Sequence, residues 1–418
     1  MVYGAFGRSA VDYEQRIDYD RLRRERLARA QEQMKKDGIA AIMSFGADTI
    51  RYLTSYWVTT PLRQAEFQMV FCPANGEPIL FGGGTPSEVE RRMPWMKGRI
   101  RPSLPNAYIS SSSADSPAVQ IHVDTVIKLM EEFGIKGETI GIEGTALSML
   151  YAEAFARRGV KAVYAKQTLD NARMIKTVDE IELIKIAAAL TEKAFAAVVD
   201  AIRPGVKEHD LVGVALQALY EEGIDHNEAL VVMSGYNTNP YNWCFTDKMI
   251  RPGDLVYVDV NGASYQGYKT CVYRTFCCGK ATPRQKEIYA QALDFLRSGI
   301  EVLRPGKTNY DLMKAFPQTP EVWGWGPNDW GQVDPYCIAH GLGLGLHDKP
   351  LATPSYVRSG QPEIEFQPGM VIAIETYAGK VGEKDGVRLE EMVVITENGN
   401  EVISRFPIDE LIECWIPY

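Results

Sequence analysis

Apolar and polar positions repeat in the same order twice in the second half of the chain. An apolar helical stretch from about Val178 to Ile202 stops at Arg203-Pro204-Gly205, and another from about Pro283 to Leu303 stops at Arg304-Pro305-Gly306. Both begin with capping signals: Thr177 is followed by Glu180, and Thr282 by Pro283 and Gln285. A shorter amphipathic helix is predicted after each Pro-Gly, over Asp210–Glu222 and from Asp311 to at least Phe316. Each copy then has a second Pro-Gly and a short apolar run, which reads as a buried strand. Pro252-Gly253 leads through Leu255 to Val258 and ends on Asp259; Pro368-Gly369 leads through Val371 to Ile374 and ends on Glu375. Four matched elements in one order predict an internally duplicated α+β domain over residues 171–418.

Residues 1–170 carry a different pattern. A basic amphipathic helix over Arg21–Lys36 precedes a strand at Ala40–Phe45, and a helix over Val119–Phe133 precedes a strand at Thr139–Ile142. Alternating helix and strand predicts an α/β unit with a parallel or mixed sheet. No Gly-rich phosphate loop follows either strand.

A chain of 418 residues has the length for two or three domains with a large core. No apolar run reaches the roughly 20 residues that cross a bilayer, and the N-terminus has no apolar signal core; a cytoplasmic protein without membrane contact is expected. A net charge of −9 with mixed signs argues against a nucleic-acid partner. Seven cysteines without zinc-type spacing suggest reduced thiols.

The chemistry gathers at the strand ends. A buried carboxylate needs a cation or strong donors, and Asp259 and Glu375 together suggest a shared metal ion. After Glu375 the chain turns at Gly382–Gly386 and returns through Val387-Arg388-Leu389-Glu390, adding a second acid. After Asp259 it returns through Gly267–Thr275, and the internal symmetry puts Cys271 in the place of Glu390. The run His340-Gly341-Leu342-Gly343-Leu344-Gly345-Leu346-His347-Asp348-Lys349-Pro350 is too rich in glycine for a stable helix and suits backbone packed closely against a site.

These runs resemble the pita-bread metalloenzymes: creatinase, prolidase, aminopeptidase P and methionine aminopeptidase. The resemblance rests on His340–Pro350, the Pro-Gly-Met-Val strand ending at Glu375, the Arg-x-Glu strand containing Glu390, and Gly267–Phe276. It implies a pita-bread catalytic domain behind a creatinase-like N-terminal domain, and a homodimer. It also implies two metal ions on two Asp, one His and two Glu in the peptidases. Here Cys271 replaces the second Asp, Asp259 lies one residue off the usual spacing with Asn261 nearby, and Asn242 replaces a substrate-side histidine. The run Ser234–Tyr241 and the spacing of Asp259, Asn261 and Cys271 are similar to the branch that splits dimethylsulfoniopropionate.

Aromatic residues crowd the same segments: Tyr241 and Trp243 before Asp259, then Trp323, Trp325, Trp330 and Tyr336 before His340. Such rings form a cage for an onium cation, at about 0.5 to 2 kcal/mol per contact, or pack a loop or interface. Arg63, beside Trp57, is a candidate for a substrate carboxylate. These readings predict a non-peptidase enzyme that cleaves a carbon–sulfur or carbon–nitrogen bond in a small onium or amidino substrate. One divalent ion, Fe, Zn or Mn, is expected on Asp259, Asn261, Cys271, His340, Glu375 and Glu390, with catalysis without an ion as the alternative. His347 or Asp348 is the proton acceptor, with Glu375 as shuttle in a hydrolytic version. An Xaa-Pro dipeptidase and a catalytically silent binding protein are the rival classes.

Overall fold

The computed structural model describes residues 17–58, 63, 65–317, 320–326 and 337–416, in two units that divide after Arg173. In the first, Asp18 caps the helix Tyr19–Lys36 by accepting from the amides of Asp20 and Arg21 at 3.0 and 2.9 Å. Six strands form one sheet: β1 (Ala41–Ser44), β2 (Met69–Pro73), β3 (Ile79–Phe81), β4 (Ile100–Arg101), β5 (Ile140–Glu143) and β6 (Ala162–Tyr164), in the order β4-β3-β2-β1-β5-β6. β1, β5 and β6 run parallel while β2 is antiparallel to its neighbours, so the sheet is mixed. The helix Pro117–Glu132 buries Val119, Val123 and Val126 in a core shared with Ala41, Met43 and Phe71. In that core the His122 ring meets Tyr151 Oη at 2.6 Å and stacks beside Phe45.

The predicted duplication organises the second unit. Thr177 accepts from the Glu180 amide at 3.2 Å while Glu180 accepts from the Thr177 amide at 2.8 Å, and the helix Val178–Ala201 follows. Thr282 and Gln285 make the same reciprocal pair at the head of Pro283–Val302. The shorter helices span Glu208–Glu221 and Asn309–Lys314. Strands β7 (Ala229–Ser234), β8 (Leu255–Tyr265) and β9 (Tyr268–Cys278) form a sheet with β15 (Ile412–Cys414), in the order β15-β9-β8-β7. A second sheet takes the order β11-β10-β12-β13-β14, from β10 (Ala339–Gly341), β11 (Asp348–Ala352), β12 (Val371–Ala378), β13 (Val387–Thr396) and β14 (Gly399–Val402).

Each central hairpin lies under its own long helix: Val178–Ala201 covers β8 and β9, and Pro283–Val302 covers β12 and β13. Gly299 lets the second helix come close, since a Cβ there would meet Phe316 and Ile374 at 2.6 and 2.7 Å. β9 and β13 pack on each other. Thr275 Oγ1 stitches them, donating to the Arg388 carbonyl at 2.7 Å and accepting from the Arg388 amide at 3.0 Å. All of β9 and β12 is buried, so these strands read as continuous apolar runs rather than alternating ones. Among the described residues no helix is long and apolar enough to cross a membrane.

Candidate active site

Strand register brings the acids together. Glu375 lies opposite Glu390 in the β12–β13 pair, and His340 is carried beside them because β10 pairs with β12 at Ala373. On the other hairpin Asp259 lies opposite Tyr273 and Asn261 opposite Cys271. Asp259 and Asn261, two residues apart in a strand, share a face. The pairing then slips between Asn261 and Ser264, where Gly262 has φ +77°. This bulge takes up the extra residue in the spacing, so the Asp259 side of the strand still faces the returning Cys271.

Cys271, His340 and Glu390 form the centre of the cluster: all three are buried, and one potential ligand atom from each lies within 4.8 Å of the others. His340 Nε2 is 3.9 Å from Glu390 Oε1. Asn261 Nδ2 donates to Asp259 Oδ2 at 3.0 Å. Buried and without a hydrogen-bond partner are His340 Nε2, both Glu390 oxygens, Asp259 Oδ1 and Asn261 Oδ1. Buried polar groups are normally paired. Orphaned lone pairs on His340 and Glu390 beside the Cys271 sulfur, with those of Asp259 and Asn261 on the strand paired with Cys271, have the chemistry of a cation site.

Electrostatics agree. Burial, then the Glu375 charge, pushes Asp259 up to about 8. Burial together with Glu375 and Asp259 raises Glu390 well above the carboxylate range. Burial raises Glu375 too, against the pull of Arg388. The Cys271 thiol is raised by burial and by Glu390, and the His340 imidazole is lowered to about 3 by burial and His347. Every shift moves its group toward the neutral form. A divalent ion at this point would reverse the shifts of the acids and the thiol and would hold His340 in the neutral form that ligates, so the donor set fits a metal.

Glu375 has a second partner. Arg388 Nη2 donates to Glu375 Oε2 in a buried ion pair. The guanidinium sits over Tyr241 at 4.1 Å, Tyr273 at 4.5 Å and Trp323 at 5.7 Å. Trp325 stacks on Trp323 at 6.1 Å, behind that wall. Aromatic rings expected around an onium substrate therefore enclose the protein's own cation, with Tyr241 lining that enclosure and Trp325 backing Trp323.

The other expected residues divide clearly. The His347 ring is 4.4 Å from the His340 ring and reaches the surface. Asp348 is buried in the glycine turn, where a Cβ on Gly345 would meet its Oδ1 at 2.2 Å. Trp243 is 66% exposed, with its amide bound to Asn242 Oδ1 at 2.8 Å, apart from the cluster. Arg63 and Trp57 belong to the first unit, where Arg63 lies over the Trp57 ring at 4.7 Å and donates to the Val58 carbonyl. Trp330 and Tyr336 lie outside the described residues. Arg388, Tyr273 and Cys337, a neighbour of Glu375, were not anticipated. The signal for Arg388 was its place two residues before Glu390, on the same strand face.

Residues 182–397 match the model of metallopeptidase family M24, and residues 26–175 match the creatinase/prolidase N-terminal domain. An Xaa-Pro dipeptidase of Pyrococcus furiosus is 31% identical over 273 residues, covering 64% of this chain and 74% of its own. The dimethylsulfoniopropionate lyase of Roseovarius nubinhibens is 26% identical over 264 residues, 61% of this chain and 57% of its own. Among solved structures, an Xaa-Pro dipeptidase from Bacillus anthracis superposes with a TM-score of 0.73 at 22% identity, over 93% of this chain and 99% of that one, a likeness of fold. These relatives overturn the expected non-peptidase cleavage of an onium or amidino substrate. Two of the expected cage rings, Tyr241 and Trp323, face Arg388 instead.

Proposed function

Because the chain belongs to metallopeptidase family M24, with the creatinase/prolidase N-terminal domain of that group of enzymes, we propose that it is a metal-dependent dipeptidase that hydrolyses short Xaa-Pro peptides. The observation that carries this reading is the cluster of orphaned lone pairs on Asp259, Asn261, His340 and Glu390. One divalent ion, Fe, Zn or Mn, would be held by His340 and Glu390, with Asp259, Asn261, Cys271 and Glu375 around it. When bound, the ion supplies a polarised water and a Lewis acid for the peptide carbonyl.

The chain's own residues do the rest. Glu375, raised by burial and steadied by Arg388, takes a proton from the attacking water and passes it to the proline nitrogen as the bond breaks. His347, whose value is lowered by burial, is neutral at pH 7 and donates a hydrogen bond to the oxyanion. The homodimer belongs to the same reading, and light scattering of the full chain measures it.

The test is hydrolysis of Ala-Pro against Ala-Ala after chelation and re-addition of each ion. Ion-dependent turnover that favours Ala-Pro, reduced about 100-fold or more in Glu375→Gln, is the expected result. No Ala-Pro turnover with any ion overturns the reading.

A further inference from the structure

The two hairpins differ where symmetry would make them alike: β9 presents sulfur at Cys271 where β13 presents the carboxylate of Glu390. Cys271 is a free thiol, 2% exposed. Its neighbours set it apart from other buried cysteines. Cys277, on the same strand, belongs to the apolar core with Leu255 and Ile288. Cys271 instead meets Glu390, is opposite Asn261 in the β-pair, and lies within 4.8 Å of His340.

A protonated thiol has one hydrogen to give, too few for the acceptors around it. Three of the four orphaned atoms of His340, Glu390 and Asn261 would remain unsatisfied whichever of them it chose. An ion bound to sulfur changes the count: the thiol proton leaves to solvent as the sulfur–metal bond forms, and imidazole, carboxylate and amide oxygen gain the same partner. Donor type then selects the ion. Thiolate with imidazole suits zinc and ferrous iron, whereas manganese favours all-oxygen sets.

We propose that Cys271, His340 and Glu390 form a thiolate–imidazole–carboxylate centre that takes a thiophilic divalent ion of the zinc or ferrous class in preference to manganese. This rests on the reading of the pocket as the metal centre of a peptidase, and narrows the ion that the centre holds.

Cobalt(II) titration of the chelated full-length chain tests it, because cobalt bound to thiolate gives a sulfur-to-metal charge-transfer absorption. The band is expected in the wild type and in Cys337→Ser. It is expected to vanish in Cys271→Ser and in Cys271→Asp, the second variant guarding against a fold that fails with serine. Zinc should displace the cobalt at equal concentration, and manganese should need at least about tenfold more. Cobalt binding without the band, a band that survives in folded Cys271→Asp, or displacement by equimolar manganese overturns the proposal. A chain that shows the band but cleaves no Ala-Pro sinks only the peptidase reading; one that cleaves Ala-Pro without the band sinks only this proposal.

Discussion

Arg274 and Arg388 stand on the two strands that join the sheets, and both are 1% exposed, yet the protein treats them in opposite ways. Arg274 is fully engaged. It donates to Glu391 at 3.0 Å, to the Glu390 and Tyr273 carbonyls at 2.6 and 2.9 Å, and twice to the Phe406 carbonyl. Arg388 pairs with Glu375, but its Nε and Nη1 have no acceptor and face aromatic rings. A buried charge with every hydrogen bond made is a strut. One left with spare donors beside raised carboxylates belongs to the chemistry.

The largest effect expected from this contrast is on stability. Arg274→Met strands Glu391 in the interior, and breaking such a pair costs about 3 to 5 kcal/mol; urea unfolding of the second unit measures it. A loss under 1 kcal/mol would break the contrast.

Next comes the pH dependence of the first unit. Burial lowers His122 from its ordinary 6.5 to about 4, so the unfolded chain takes up the proton first as pH falls. The stability that His122 contributes is complete above pH 6.5, declines between 6.5 and about 4, and is gone below. A shift of that size is worth about 3 kcal/mol. His122→Gln should flatten the slope in melts between pH 7 and pH 4.

Arg388→Met should cost the least, about 2 kcal/mol, because two of its nitrogens make no bonds to lose. Its main consequence is kinetic: a fall in kcat for Ala-Pro with KM little changed, since Glu375 loses its anchor. Equal destabilisation by the two arginine substitutions would erase the distinction drawn between them.

Sequence pattern reveals the outline of this molecule well where local chemistry decides. Both capping boxes and both Pro-Gly strands follow from spacing, because turns and register fix them, whereas the metal roles of His340 and Glu390 are legible only through the family resemblance. Strands β2, β3, β4 and β6 escaped notice: two to five residues long, they carry no period of their own. The misread residues are those whose partner is distant in sequence. Nothing near Trp323 or Tyr241 says that Arg388 will fill the space between them. Nor does the run His347-Asp348 reveal that one side chain reaches the surface and the other folds under Gly345.

The duplicated architecture has an evolutionary consequence. Asp259 and Cys271 come from the first repeat, and His340, Glu375 and Glu390 from the second, so a solitary repeat could build this cluster only by pairing with a copy of itself. In such an ancestor any substitution would appear on both sides at once. Fusing the copies into one polypeptide released each lip to change alone, which is how sulfur could enter at one position while its symmetry mate remained an acid.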